Sequence, residues 1–236
     1  MQFYEIRHSL NEKIVGSYPQ AEEAKHNCNV WDEPLFIKNF YFEKIEITPI
    51  VSNAILKNNS KLTDLISIPV MGFSNKLLIS GKLKKIIEKY KESGIQYFQS
   101  GVYHKNRFFE DYWVMNIFEF NNEYIDFEKT EFSLRIRKKG GGTELKKINI
   151  NSTDELSEKI AFHKKKQEIV KAERVFIRTK INDNFFVLKN SIKYIVSENL
   201  KKEIEESGCT GIEFTPVEMT LNEWLFSERE KIYGKS

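Results

Sequence analysis

Three neighbouring carboxylates, Asp126, Glu128 and Glu131, are the residues whose types and spacing best suit chemistry in this sequence. A hydrolase would use such a group as an acid–base pair or to hold a metal ion. Asp126 and Glu128 share a face if their segment is a strand, because side chains there alternate with a period of two. A solvated hairpin edge explains the same residues without chemistry, and that reading is favoured. The histidines, His8, His26, His104 and His163, include no pair at His-x-x-x-His spacing. The two cysteines, Cys28 and Cys209, lie far apart with no histidine at metal spacing, so no zinc motif is written locally. Ser80 and Ser197 lack the Gly-x-Ser-x-Gly surroundings of an activated nucleophile, and helix capping accounts for both. No catalytic, cofactor-binding or metal-binding residue is therefore assigned, and no cofactor is expected.

Two further segments invite a binding role. Gly140-Gly-Gly-Thr143 lacks the Gly-Lys-Ser/Thr of a phosphate-binding loop, so it reads as a mobile hairpin tip, a common place for partner contacts. Arg135, Arg137, Lys138, Lys139, Lys146 and Lys147, together with the run His163-Lys-Lys-Lys166, could make a nucleic-acid patch. Glu144, Asp154, Glu155 and Glu158 interleave with them, which favours a solvated helix face instead. The aromatic run Tyr112-Trp-Val-Met-Asn-Ile-Phe-Glu-Phe120 lacks the glycine-bearing pattern of an RNA-recognition strand and reads as core.

These candidates sit in a chain built to fold. Of 236 residues, 40% are hydrophobic and 13% aromatic, too many for a disordered segment. Thirty-seven Lys and Arg balance 34 Asp and Glu for a formal charge of +3, which lowers the expectation of a dedicated nucleic-acid binder. Met1-Gln-Phe-Tyr-Glu-Ile-Arg-His-Ser-Leu-Asn-Glu-Lys13 is charged throughout and has no apolar stretch like that of a signal peptide. No apolar run approaches the ~20 residues of a membrane span. Together with two isolated thiols, this points to the cytoplasm.

Along the chain, Phe3 to Ile6 predicts a strand and Gln20 to Lys25 a short helix after Pro19. Phe40 to Ile47 predicts a strand, and Leu62 to Val70 is ambiguous. Leu77 to Ser80 is a short strand into a helix capped by Ser80, with Leu83, Ile86, Ile87 and Tyr90 on one face. Gly94 ends it, and Ile95 to Phe98 returns as a strand. Tyr112 to Phe120 predicts a buried strand that pairs with Tyr124 to Phe127 across an Asn121-Asn122 turn, and Phe132 to Ile136 predicts another strand. A capping box, Ser152 with Glu155, opens a helix running to about Lys171. Val175 to Arg178 and Phe185 to Leu188 predict a hairpin.

Tyr194 to Phe214 then repeats Leu77 to Tyr97 without a gap, 117 positions later. Ser80 matches Ser197, Leu83 matches Leu200, Lys84-Lys85 matches Lys201-Lys202, and Gly94-Ile95 matches Gly211-Ile212. A strand, a Ser-capped amphipathic helix, a glycine and a returning strand thus occur twice, the mark of a duplicated supersecondary unit.

Those segments carry a resemblance. Leu78-Ile-Ser80-Gly-Lys-Leu83, Tyr112-Trp-Val-Met-Asn-Ile117, Tyr124-Ile-Asp126-Phe-Glu128 and Ile195-Val-Ser197-Glu-Asn-Leu200 through Val217 resemble the pattern of a bacterial immunity family of polymorphic toxin systems, long catalogued as a domain of unknown function. Glu128 departs from the pattern where many relatives carry Asp. The resemblance covers about residues 77 to 219, so residues 77–236 form the immunity-like part and residues 1–76 a loosely matching N-terminal part of one continuous unit. It implies an α+β fold and stoichiometric binding of a cognate toxin without chemistry.

The expected architecture is thus α+β: a mixed, mainly antiparallel sheet packed by a few amphipathic helices, with the strand–helix–strand unit present twice. The expected function is neutralisation of a cognate toxin in the cytoplasm, with toxin-contacting residues unassigned. The alternatives are a nucleic-acid-binding module or a small hydrolase using the Asp126 region.

Overall fold

The computed structural model describes residues 2–73, 75–138, 140–189 and 192–234. In chain order the elements begin with β1 (Phe3–His8), α1 (Glu12–Val15), β2 (Ala21–Lys25), β3 (Asn53–Leu56), β4 (Leu65–Ile66), β5 (Leu77–Ser80), α2 (Gly81–Glu88) and β6 (Ile95–Gln99). They continue with β7 (Val102–His104), β8 (Arg107–Phe109), β9 (Tyr112–Ile117), β10 (Glu131–Arg137), β11 (Thr143–Ile148), α3 (Thr153–Lys165) and β12 (Ile169–Arg174). The last are β13 (Phe185–Leu188), β14 (Lys193–Ser197), α4 (Glu198–Glu206), β15 (Ile212–Pro216) and a C-terminal helical segment, 221–233. The fold is α+β, with mostly antiparallel sheets and a few helices. The exception to antiparallel pairing among these strands is β3 with β7.

The repeat seen in the sequence is a repeat in space. One sheet runs β4-β5-β9-β6 and another β13-β14-β1-β15. Ser80 lies opposite Tyr112, as Ser197 lies opposite Phe3. Ile95 lies opposite Ile117, as Ile212 lies opposite His8. The 117-residue offset holds for β5 with β14 and for β6 with β15, residue for residue. β1 and β9 are the equivalent central strands, but β9 follows its unit in sequence whereas β1 precedes everything. Gly94 and Gly211, at φ +79 and +81, make the same left-handed turn into the returning strand. A Cβ on Gly211 would stand 2.5 Å from the Leu65 carbonyl oxygen, so both conformation and space require glycine there.

Polar details repeat as well. Ser80 Oγ donates to Asp64 Oδ1 (2.6 Å) and accepts from the Leu83 amide (3.2 Å). Ser197 Oγ donates to Asn184 Oδ1 (2.6 Å) and accepts from the Leu200 amide (3.2 Å). Lys84 Nζ stands 4.9 Å from the Tyr97 ring centre and 5.0 Å from that of Trp113; Lys201 Nζ stands 5.0 Å from Tyr4 and 5.8 Å from Phe214. Each lysine also reaches a glutamate one helical turn on, Glu88 or Glu205. Because Ser197 is buried and its hydroxyl both gives and takes a bond, Ser197→Ala should cost about 1–2 kcal/mol in a urea titration. A loss below a few tenths would show that the cap is dispensable.

α2 and α4 pack between the two sheets. Leu83, Ile87, Leu200 and Ile204 share one buried cluster with Ile79, Val196, Met115 and Ile6. The opposite faces of the sheets are covered by different units. The sheet β2-β3-β7-β8 and the segments around Phe36 and Met71 cover Leu78 and Val114. The sheet β11-β10-β12, with α3, covers Ile195 and Phe186.

Several sequence expectations are corrected. Gln20–Lys25 is not a helix: Ala21–Lys25 is strand β2, with Ala21 and Ala24 buried against β3. Phe40–Ile47 forms no strand; its Ile45 backbone instead exchanges hydrogen bonds with the Gln96 side chain. Tyr124–Phe127 does not pair back on β9, because Asn122–Tyr124 winds into a 3-10 turn and Ile125 bridges Ile177. The helix from Ser152 stops at Lys165, and Ile169–Arg174 is β12, where Val170 reaches the core. Only half the capping box forms: Ser152 accepts from the Glu155 amide, while the Glu155 carboxylate takes the Asn151 amide. Val175–Arg178 is not a strand, and Phe185–Leu188 pairs with β14.

Lys76 is buried in the N-terminal half, its ammonium donating to the Phe40 carbonyl oxygen at 2.7 Å. Burial pushes it down to about 8 from the usual 10.5, with Glu43 partly opposing. Between these values the unfolded chain holds a proton that the folded chain has shed, so this group adds stability as pH rises through the window. Lys76→Met should therefore stabilise at pH 7, with the advantage over the parent shrinking by pH 10. A gap independent of pH would contradict the assignment.

Candidate partner-binding surface

The three-stranded sheet β11-β10-β12 has one face in the core and one in solvent. On β10, Phe132 and Leu134 point inward to the cluster with Leu156 and Val170, so Ser133, Arg135 and Arg137 point outward. Strand register then sets the rows. Arg135 lies between Leu145 on β11 and Ile169 on β12; Ser133 lies between Lys147 and Lys171; Arg137 lies opposite Thr143. Directly opposed residues of antiparallel strands share a face.

A solvated sheet face is usually polar. Here Leu145 is 62% exposed and Ile169 55%, one on each side of an arginine. Leu221, from the start of the C-terminal helical segment, closes one side of an open depression of about 450 Å³ lined also by Thr220, Lys171 and Glu173. At the other end a smaller depression, about 220 Å³, is lined by Arg137, Thr143 and Gln167.

The charges on this face are unevenly paired. Glu173 accepts from Ser133 Oγ (2.6 Å) and from Lys171 Nζ (2.8 Å). Burial works to raise the Glu173 carboxyl, but those two bonds outweigh it and hold it below the usual carboxylate range. Among the described residues, Arg135, Arg137 and Lys147 have neither an ion pair nor a side-chain hydrogen bond. Among the described residues the face therefore presents two unpaired guanidiniums and an ammonium around an aliphatic row. The rigid backing matters: the strand that carries the arginines is anchored from behind by Phe132, stacked on Phe127 at 5.9 Å, and by Leu134.

Sequence reasoning found the charges and a strand from Phe132 to Ile136, but favoured a solvated helix face for the group as a whole. Arg135, Arg137 and Lys147 share this sheet face, with Lys171 added from β12. Lys146 points the other way and pairs with Glu144 at 3.7 Å. The His163–Lys166 run ends α3, which packs Leu156 and Ile160 against the opposite face of the sheet. Lys138 adjoins Arg137, and Lys139 lies outside the described residues. The tip holds Gly141 and Gly142 at φ +93 and +80, as a tight hairpin end needs. Leu145, Ile169 and Leu221 were not singled out by sequence; each is an ordinary apolar residue until register brings it beside Arg135.

The chemical candidates disperse. Asp126 pairs with Lys129 (3.0 Å) in the turn before β10, and Glu131, the first residue of β10, approaches Arg174 on β12 (3.7 Å). Among the described residues no group of three His, Cys, Asp or Glu converges as a metal site would require. His8 is half-buried with Nε2 3.1 Å from the Ile66 carbonyl oxygen, and desolvation pushes its pKa below the ordinary value. His26 contacts Ser52, and His163 contacts Glu168 at 2.6 Å. The His104 ring Nε2 is buried without a hydrogen-bond partner among the described residues. Both cysteines are free thiols; burial pushes Cys209 up to about 11 and also raises Cys28, the opposite of what a nucleophile needs. Ser80 and Ser197 are helix caps.

No described helix is long and apolar enough to cross a membrane. A family model for the Immunity protein family (Imm11) matches residues 53–219. The chain belongs to the Imm11 immunity protein family. The match takes in both copies of the strand–helix–strand unit and all of the β11-β10-β12 face except Leu221 and its neighbours. Strands β1 and β2 and the C-terminal helical segment lie outside it. None of the curated proteins matches the chain.

Proposed function

We propose that this Imm11 protein binds its cognate toxin one to one in the cytoplasm of the producing cell and neutralises it by covering the surface the toxin needs. The observation that carries the reading is the exposed Leu145-Arg135-Ile169 row on a sheet whose other face is firmly packed. Arginine is one of the residues enriched at interface hot spots, and the exposed aliphatic side chains beside it offer a partner apolar surface to bury. The scaffold is pre-organised, so little entropy is lost when a partner docks. Neutralisation of this kind asks no catalytic group of the inhibitor. Residues 1–76 act in the same unit, since Ile66 and Met71 share a buried cluster with Leu78 and Val114.

The test is rescue. A candidate toxin domain encoded beside this gene is expressed in a sensitive host with and without this protein, and the purified pair is titrated by calorimetry. Growth rescue with tight one-to-one binding supports the reading. An active toxin that is neither bound nor neutralised rejects it.

A further inference from the structure

We infer that the solvent face of the β11-β10-β12 sheet takes an acidic protein surface, on which two carboxylates about 7 Å apart stand beside apolar side chains, the distance being that of two residues along a strand. The inference rests on the toxin-binding reading and names the chemistry of that partner.

The argument starts from Arg135 and Arg137. They stand two positions apart on the central strand and so project in the same direction. Neither has an ion pair among the described residues, although Lys171 beside them is neutralised by Glu173. A guanidinium offers a planar fork of donors that matches a carboxylate in two parallel bonds. Carboxylates spaced like alternate residues of a strand, or like positions i and i+4 of a helix, would meet both forks at once.

Leu145 and Ile169 then decide what kind of anion is taken. They flank Arg135 across the strands and are both more than half exposed. A free phosphate would leave these aliphatic surfaces in water. A protein surface would bury them, and the water removed would strengthen each guanidinium–carboxylate pair. Nucleic acid fits less well, because the residues lining both depressions include no aromatic side chain on which a base could stack. A membrane fits less well too, because the aliphatic row lies in a depression walled by Leu221, whereas insertion into lipid needs protruding apolar groups.

Charge reversal tests the inference. The probe is the candidate toxin domain that passes the rescue test, titrated into the full chain and into the variant R135E/R137E. Both positions are exposed, so the variant keeps the parent circular dichroism and thermal midpoint. The reversal is expected to weaken binding by about 100-fold or more. R135K/R137K keeps the charge without the fork and falls between the two. Hydrogen exchange on the complex should show protection at residues 131–137, 143–148 and 169–174.

If the parent chain binds the toxin tightly and R135E/R137E binds equally well, the inference is overturned while the immunity reading stands. If the parent chain does not bind an active toxin, the immunity reading fails and the inference with it. A third arm uses a single-stranded RNA 20-mer and phosphatidylglycerol vesicles as probes. Binding to either that depends on Arg135 and Arg137, with toxin binding unchanged by the reversal, also overturns the inference.

Discussion

Arg229→Ala is expected to cost about 3–5 kcal/mol of folding free energy, because it strands a buried carboxylate. Arg229 Nε and Nη2 donate to the two oxygens of Glu213, each at 2.7 Å. The side chains are 4% and 2% exposed. Glu213 also accepts from Ser9 Oγ (3.0 Å) and the Leu10 amide (2.8 Å), so the carboxylate ties the C-terminal helical segment to the end of β1. Without the guanidinium, two neutral donors are left to hold a full negative charge out of water. The pair itself need not be worth this much, since taking both charges from water is costly. Arg229→Met with Glu213→Gln should therefore recover part of what Arg229→Ala loses. Urea titrations of the three proteins decide this. A single variant within 1 kcal/mol of the parent would show that water reaches the carboxylate.

The second large effect follows from the two equivalent helices. Leu83 is 1% exposed and Leu200 fully buried, and both belong to one cluster between the sheets. Truncation of either to alanine should cost about 2–5 kcal/mol, the transfer term plus the cavity left behind. The similar environments predict similar losses at the two positions. Because the helices share one core, each substitution should lower a single transition seen alike by tryptophan fluorescence and by circular dichroism. Two separated transitions, with each substitution moving only one, would mean that the two sheets unfold independently.

The parts of this fold set by short-range pattern were legible. The Ser-capped helices, the strand before each and the glycine after each depend on spacings within about twenty residues, and all are present. The unit starting at Leu77 and that starting at Tyr194 even keep their offset through the returning strand. What failed depended on partners far away. Ala21–Lys25 carries alanines and glutamates that suit a helix, yet β3 makes it a strand. The first half of β12, Ile169 to Lys171, falls within the predicted helix for want of any local break. The candidate surface was hidden for the same reason. Arg135 was visible as a charge, but only register with β11 and β12 reveals Leu145 and Ile169 beside it. Arg229 and Glu213, sixteen positions apart, gave no signal at all.

The place of β1 has a consequence for how the molecule comes into being. This strand leaves the ribosome before every other described element, yet it lies between β14 and β15, among the last of them. The sheet β4-β5-β9-β6 can close once Ile117 has been made. Its counterpart must keep an unpaired strand with Phe3 and Ile6 uncovered until Pro216 has emerged. One sheet can therefore pair well before β15 is made, and the other is sealed only then, when β1 returns to lie between β14 and β15.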